Sequence, residues 1–162
     1  MNGRTTGTNG QAILDATQFA ETAERITNQA LTAEMLALYA PDAVVEWIID
    51  GAYERHEGID AIRPAVTAMS DLWRARRLYV RKQSQCADAD HVVLTYSGGF
   101  SGGKKLFGTE IWTLRDGLVV CHQMYAYLDV RPRTSLWAQI RVALMDPRTA
   151  LRARRIDRNL SR

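Results

Sequence analysis

The sequence predicts an α+β fold in which a curved antiparallel sheet carries helices on one face. Stretches with apolar residues at three- and four-residue spacing occupy the first half of the chain. Four long β-branched and aromatic stretches then follow one another between Leu78 and Val130. The chain has 162 residues, of which 46% are hydrophobic and 24% charged. That length and composition are typical of one globular domain with a sizeable core.

Three helices are predicted in the N-terminal half. The first covers about 13–30 on an apolar stripe, and Asp15 or Thr17 can cap its start. A short second helix begins with Thr32 as its cap and ends before Pro41. The third follows Gly58 and covers 59–73, with its apolar side turned to the core.

A strand is predicted at 43–49 because its residues are mostly β-branched. Glu46 is the one charged residue, so Val45 and Trp47, on the opposite face, are expected to point inward. The chain then turns at Asp50-Gly51 into a short return strand at 52–57. Further strands are predicted at 78–86 and 91–100, and a long hairpin completes the sheet.

The hairpin lies within 104–130 and turns at 115–117, where Asp-Gly supplies the positive φ of a tight reversal. Glu110 lies in its first arm and His122 in its second, each among large apolar residues. An odd loop with a glycine bulge would place the two side chains on one face, as direct or diagonal neighbours. A strict two-residue loop would separate them. The sequence leaves open whether their face lines a wet pocket or a sealed core.

The predicted organisation is a disordered lead-in at 1–11, one domain at 12–131 and a helical extension at 132–162. Ser135 is expected to cap the first helix of the extension and Asp146 the second. The last helix is rich in arginine, at positions Arg148, Arg152, Arg154, Arg155, Arg158 and Arg162. Such a helix is most often a solvated face.

Composition excludes several classes of protein. The net charge of +3 is mild and its excess lies near the C-terminus, so a nucleic-acid partner is not expected. No apolar run is long enough to predict a membrane span. The N-terminus lacks the apolar core of a secretory signal, which favours a cytoplasmic protein with Cys86 and Cys121 as buried, reduced thiols. The spacing of cysteines, histidines and acids predicts no metal site.

Three sequence patterns are similar to those of a known family. They are LYAPDAVVE at 38–46, HEGIDAI at 56–62, and EIWTLRDGLV at 110–119 followed by YLD at 127–129. In this order, over about 13–130, they resemble the nuclear transport factor 2-like superfamily and, within it, the SnoaL-like branch. The resemblance implies a cone with a deep apolar pocket between the sheet and the long first helix.

The family includes ketosteroid isomerases, polyketide cyclases and epoxide hydrolases, together with many binding modules without catalysis, so the fold does not define the function. The isomerase-like base would correspond to Trp47 and the ketone-polarising tyrosine to Ala23, so both are missing. The acid that partners this tyrosine corresponds to Glu110. The epoxide hydrolase triad is also absent, since its last-strand acid falls on Ala126. The aspartate of the cyclases could correspond to Asp129, which is expected at the rim or outside, because its parity is opposite to that of Ala126.

The leading hypothesis is a cofactor-independent acid–base enzyme that isomerises, cyclises or dehydrates a hydrophobic, oxygenated small molecule such as a polyketide or terpenoid-like intermediate. Glu110 is the expected acid or base and His122 its partner, because a carboxyl group and an imidazole in an apolar pocket suit proton transfer. Tyr96 or Tyr125 could donate to a substrate oxygen. The predicted substrate-binding residues are Trp47, Tyr96, Trp112, Met124, Tyr125 and Leu128.

Several alternatives stay open at the level of sequence. Glu110 could face outward and pair with an arginine, and His122 could be purely structural. The indoles of Trp47 and Trp112 could serve packing rather than chemistry. The protein could also be a non-catalytic module that binds an apolar ligand, or a scaffold whose open sheet face packs on a second copy. A homodimer is expected with either function.

Overall fold

The computed structural model describes residues 15–132, 134–148 and 150–152. The chain divides into two compact units after Asp129. The elements of the first unit are α1 (Ala16–Asn28), α2 (Thr32–Ala37), β1 (Tyr39–Ile49), β2 (Ala52–Glu57), α3 (Ile59–Arg76), β3 (Leu78–Ala87), β4 (His91–Phe100), β5 (Lys105–Arg115) and β6 (Leu118–Tyr127). The second unit contains α4 (Leu136–Met145). The predicted lead-in, and most of the predicted arginine-rich last helix, lie outside the described residues.

The six strands form one curved, open sheet in the order β2-β1-β6-β5-β4-β3. The predicted α+β class is confirmed. Four pairings are antiparallel, but β1 and β6 run parallel, with Trp47 opposite Met124. The prediction of a wholly antiparallel sheet is therefore wrong at this pairing. Turn residues determine the direction of consecutive strands, whereas β1 and β6 are separated in the chain by four strands and a helix.

The predicted helices are present with small shifts at their ends. Asp15 caps α1 by accepting hydrogen bonds from the backbone N–H groups of Thr17 and Gln18, at 3.0 and 3.1 Å. Thr32 is already helical, so the prediction that it caps α2 is wrong. Pro41 does not separate helix from strand, because β1 begins two residues before it. A shift in register between β1 and β6 lies at this point, and proline is tolerated at such irregularities.

The first strand and its return strand agree with the prediction. Val45 and Trp47 of β1 are buried, and the chain reverses after Ile49 into β2. Helix α3 packs on β1 and β2, with Ile62 and Val66 fully buried against the sheet. The core therefore lies between the inner face of the sheet and the helices.

Side chains of α1 cover the free backbone groups of the edge strand β3. The amide of Asn28 donates to the carbonyl oxygen of Val80 at 2.9 Å and accepts from its N–H at 2.8 Å. The carboxylate of Glu24 accepts from the backbone N–H of Lys82 at 2.7 Å. An edge strand exposes one row of unpaired backbone groups, and here the helix satisfies three of them. These bonds also hold Lys82 at a defined place on β3.

Helix α3 ends at Arg77, whose φ of 48° lies in the left-handed region. This conformation costs a non-glycine residue about 1–2 kcal/mol, so Arg77→Gly is expected to raise the free energy of unfolding by about 0.5–1 kcal/mol. Urea unfolding at neutral pH measures the change. The matched control is Arg76→Gly, inside the last helical turn, where glycine should destabilise by about 1 kcal/mol. Equal destabilisation by both changes would contradict the assignment of strain to Arg77.

The second unit is described by itself. Ser135 occupies the N-cap position of α4, as expected, but its side chain makes no capping hydrogen bond. None of the residues of α4 is buried, and its exposed apolar side chains include Leu136, Trp137 and Leu144. Among the described residues, no helix is long and apolar enough to span a membrane.

The two cysteines differ in their environment. Cys121 is half-buried, and burial is the main cause that raises the pKa of its thiol. Cys86 is exposed near the end of β3, so the prediction of two buried thiols is wrong for this residue. A register shift between Ser84 and Cys86 interrupts the alternation that buries Leu78, Val80 and Lys82, and Cys86 lies beyond this shift.

Candidate active site

The β5–β6 hairpin closes with two residues that both have positive φ, Asp116 at 54° and Gly117 at 79°. This is the two-residue turn that matches the twist of a hairpin. Of the two loops that the sequence left open, the structure therefore has the two-residue loop and not the odd one. A register shift in β6 takes its place, because Leu114 pairs with Val119 while Thr113 pairs with Cys121. The extra residue, at position 120, acts as a bulge and reverses which side chains of β6 face inward.

This bulge places Glu110 and His122 on the same inner face. Trp112 lies directly opposite His122, and Glu110 lies opposite Met124, so the two ionisable residues are diagonal neighbours. Glu110 is 3% exposed and His122 is fully buried. The two side chains therefore share a face, although the turn is the two-residue loop that by itself would separate them.

Glu110 is held by Lys82, which the sequence analysis did not single out. The Nζ atom of Lys82 lies 2.6 Å from both carboxylate oxygens of Glu110. The indole Nε1 of Trp112 donates to Oε2 of Glu110 at 3.3 Å. The open alternative of an outward Glu110 paired with an arginine is wrong, because the partner is a lysine on the inner face. A buried carboxylate needs such a partner, since an isolated charge in an apolar interior is very costly.

A simple signal in the sequence would have found Lys82. Leu78 and Val80 of β3 are buried, and Lys82 follows them at the same alternation. Across the sheet Lys82 pairs with Tyr96, and Tyr96 pairs with Gly108, two residues before Glu110. The lysine therefore reaches over β4 to β5, a distance that its long side chain can span.

The ion pair forms part of the wall of an apolar cavity between the sheet and helices α1 and α3. The cavity has a volume of about 150 Å³. Its lining residues are Thr27, Ile49, Met69, Leu72, Trp73, Leu78, Val80, Lys82, Tyr96, Phe100, Leu106, Glu110, Met124, Ala126 and Leu128. Lys82 and Glu110 are the charged members of this lining. Leu72 and Leu128 are largely exposed, which marks the side on which the cavity opens.

Tyr96 supplies a hydroxyl group beside the ion pair. The Nζ atom of Lys82 lies 5.2 Å from the centre of its ring. Its phenol lies against Gly108, where any side chain would collide with the ring and with the backbone oxygen of Tyr125. Burial, and then the negative charge of Glu110, raise the pKa of Tyr96 well above its usual value. Its hydroxyl therefore stays protonated and can donate a hydrogen bond.

His122 is fully buried and is not among the residues that line the cavity. Its Nδ1 shares a hydrogen bond of 2.7 Å with the hydroxyl of Tyr39. Its ring stacks on that of Trp112, with centres 3.6 Å apart and planes at 11°. Burial, and then the charge of Lys82, lower the pKa of His122, so the imidazole is neutral. Its Nε2 atom has no hydrogen-bond partner among the described residues.

Residues 19–122 match the sequence profile of the SnoaL-like domain, which is well over half of the chain. The chain belongs to the SnoaL-like family. Comparison with curated proteins finds no match.

Solved structures of similar fold agree with a SnoaL-like cone. A Sinorhizobium meliloti protein named as a candidate polyketide cyclase is 23% identical, with 66% of this chain and 93% of that chain covered at a TM-score of 0.52. A Kribbella flavida protein named as a candidate ketosteroid isomerase is 16% identical, with coverage of 74% and 83% and a TM-score of 0.51. An NTF-2-like protein of unknown function from Burkholderia xenovorans is 16% identical, with coverage of 74% and 89% and a TM-score of 0.54. At these identities the likeness shows the fold alone.

The SnoaL-like cone brings together only some of the predicted substrate-binding residues. Tyr96, Met124 and Leu128 line the cavity. Trp112 lies behind the cavity wall, where it orients Glu110. Tyr125 lies on the opposite face of β6, because Met124 and Ala126 occupy the inner face on either side of it.

Trp47 is also inward but belongs to a second, open groove of about 460 Å³ between α3 and the β1–β2 pair. Its ring meets the edge of His56, with ring centres 5.5 Å apart. Asp129 forms an ion pair of 2.9 Å with Lys104. Within the described residues, no group of three His, Cys, Asp or Glu side chains is arranged to hold a metal ion.

Proposed function

We propose that this SnoaL-like protein is a cofactor-independent acid–base enzyme that isomerises, cyclises or dehydrates a hydrophobic, oxygenated small molecule. The observation that carries the proposal is the buried Lys82–Glu110 pair in the wall of an apolar cavity. Active sites concentrate ionisable groups where water is scarce, because electrostatic interactions are strongest there. The two charges cancel, so the cavity suits a substrate that is itself neutral.

The geometry supports removal of a proton from a carbon next to a carbonyl group. Glu110 takes the proton as a base, while the ammonium group of Lys82 and the hydroxyl of Tyr96 donate to the oxygen on which negative charge develops. Return of the proton to another carbon isomerises the substrate. Loss of a β-hydroxyl as water dehydrates it, and attack of the enolate on a second carbonyl group cyclises it.

The volume of the cavity limits the size of the reacting part of the substrate. A volume of about 150 Å³ is that of an engineered cavity known to bind benzene. One ring, or a chain of similar size, therefore fits beside the ion pair. Any remaining part of a polyketide or terpenoid-like intermediate leaves through the mouth near Leu72 and Leu128.

His122 receives a positioning role in this proposal. Its hydrogen bond goes to Tyr39 and its ring supports Trp112, which in turn donates to Glu110. The neutral imidazole acts on the carboxylate through the indole, instead of exchanging protons with it directly.

Exchange of α-protons tests the proposal without knowledge of the natural substrate. Cyclohexanone, a neutral ketone of one ring, is incubated with the protein in D₂O, and loss of its α-proton signal is followed by NMR. Wild type should accelerate the exchange, and Glu110→Gln should slow it by about 100- to 10,000-fold because general-base catalysis is lost. The matched control is Glu54→Gln at an exposed site in the second groove, which should exchange as wild type does.

A folded Glu110→Gln variant that exchanges at the wild-type rate would contradict the proposal. A second function, a module that binds an apolar ligand without catalysis, is favoured by one observation. Both oxygens of Glu110 are already occupied by Lys82, so the pair is satisfied without a substrate. In that case wild type would bind the ketone but not accelerate exchange, and binding would change little between about pH 5 and 8.

The homodimer and the cytoplasmic location expected from the sequence stay predictions. Sedimentation equilibrium of the purified protein measures the first. A mass equal to one chain at micromolar concentration would contradict it.

A further inference from the structure

Lys82 has the surroundings of an activated nucleophile. Its side chain is 2% exposed, and its Nζ atom lies on the wall of the apolar cavity. A carboxylate lies within hydrogen-bonding distance, and that carboxylate is itself oriented by the indole of Trp112. A nucleophile, a neighbouring base and a third group that orients the base form the arrangement by which proteins activate weak nucleophiles.

The choice of lysine at this position is informative. The chain has 21 lysines and arginines, and only Lys82, Lys104 and Lys105 are lysines. Arginine is the usual residue for a buried ion pair with a carboxylate, because its planar fork binds both oxygens and keeps its charge. Lysine differs in that it can lose its proton and then attack a carbonyl carbon. A chain that uses arginine almost everywhere else places a lysine in the cavity.

We propose that Lys82 forms an imine with the aldehyde or ketone group of the substrate. This inference rests on the proposed function and narrows its substrate class to aldehydes and ketones. The covalent nitrogen replaces the substrate oxygen as the acceptor of electrons when Glu110 removes the α-proton.

The ion pair can supply the neutral amine that this step needs. Transfer of one proton from Nζ of Lys82 to an oxygen of Glu110 yields an amine and a carboxylic acid, both uncharged. A ligand that fills the cavity excludes water and raises the cost of two separate charges, so it favours the uncharged pair.

The reaction balances without an oxidant or reductant. The lone pair of Nζ attacks the carbonyl carbon, and the C=O π electrons move to the oxygen, which takes the proton held by Glu110. The resulting carbinolamine loses its second N–H proton to Glu110. That proton returns to the hydroxyl group, the C–O bond breaks, and water leaves as the C=N bond forms. The nitrogen keeps its other proton, so one carbonyl compound, the amine and the carboxylic acid yield one protonated imine, the carboxylate of Glu110 and one water.

Reductive trapping tests the proposal. The full-length protein is incubated with cyclohexanone and sodium cyanoborohydride, digested, and mapped by mass spectrometry for the reduced adduct. Lys82 should be labelled about tenfold faster than the exposed Lys104 and Lys105, because only Lys82 has an adjacent acid in an apolar cavity.

Lys82→Arg is the decisive variant, since it keeps the positive charge beside Glu110 but cannot form an imine. It should lose the adduct at position 82, while the labelling of Lys104 and Lys105 is unchanged. Lys105→Arg is the matched control and should retain the adduct at Lys82. If Lys82 in the wild type is unlabelled, or is labelled no faster than Lys105, the proposal that it forms an imine is wrong. The acid–base proposal would survive that result if α-proton exchange still depended on Glu110, and would fail separately if it did not.

Discussion

Replacing Lys82 with methionine is expected to lower the free energy of unfolding by about 3–5 kcal/mol at pH 7, because it leaves the charge of Glu110 buried without an opposite charge. The two groups are 2.6 Å apart and almost wholly shielded from water. Urea unfolding of wild type and variant, followed by circular dichroism, measures the difference. The exposed pair of Lys104 and Asp129 offers a matched control, since Lys104→Met should cost less than about 1 kcal/mol.

The double variant Lys82→Met with Glu110→Leu separates the cost of an unpaired charge from the cost of losing the pair. A buried ion pair replaced by apolar residues of similar volume is often neutral or stabilising. The free energy of unfolding of the double variant should therefore lie within about 1 kcal/mol of the wild-type value, although the variant should have no activity. The double-mutant cycle then gives a large coupling between the two sites. If the losses of unfolding free energy of the two single variants simply add up in the double variant, the two side chains do not interact in solution.

The protein is expected to lose stability as the pH falls below 6.5, through the titration of His122. Burial lowers the pKa of this imidazole in the folded state, while the unfolded chain has the ordinary value near 6.5. Below pH 6.5 the unfolded state therefore binds a proton that the folded state does not. Stability then falls by about 1.4 kcal/mol for each pH unit, until the lowered pKa of the folded state is reached. Well above pH 6.5 neither state is protonated, so this contribution no longer changes with pH.

Urea unfolding at a series of pH values measures the slope. His122→Asn removes the titrating group and should remove the slope in this window, even if its stability is lower throughout. His91→Asn is the matched control, since that ring is half-exposed beside Asp88 and the variant should keep the slope. A wild-type stability that is flat between pH 6.5 and 5 would show that His122 can be protonated in the folded protein.

The hairpin shows which structural features the local sequence pattern can predict and which it cannot. Its position, its turn and its two ionisable residues follow from the sequence, because alternation and an Asp-Gly pair are local signals. The device that aligns its faces does not follow, since Asp116 and Gly117 form a regular turn and the bulge lies at position 120. A bulge depends on how both neighbouring strands pack on β6, and no residue of the hairpin alone indicates it.

The candidate site shows the same division. Glu110 was predictable as an acid in an apolar strand. Lys82 could have been predicted as an inward residue from the alternation that it shares with Leu78 and Val80. Their pairing was not predictable from either strand. His122 was expected to work with Glu110, yet its ring is held by Tyr39, which lies 83 positions away in the chain.

The sequence by itself determined the order of the elements, the inward residues of the regular strands and the family of the fold, because these depend on periodicity and short motifs. Only the tertiary structure decided the parallel pairing of β1 with β6, the neutral imidazole behind Trp112 and the lysine that holds Glu110. These features depend on strands that are distant in the chain and meet in the sheet, where burial leaves each charge dependent on the partner that packing brings to it.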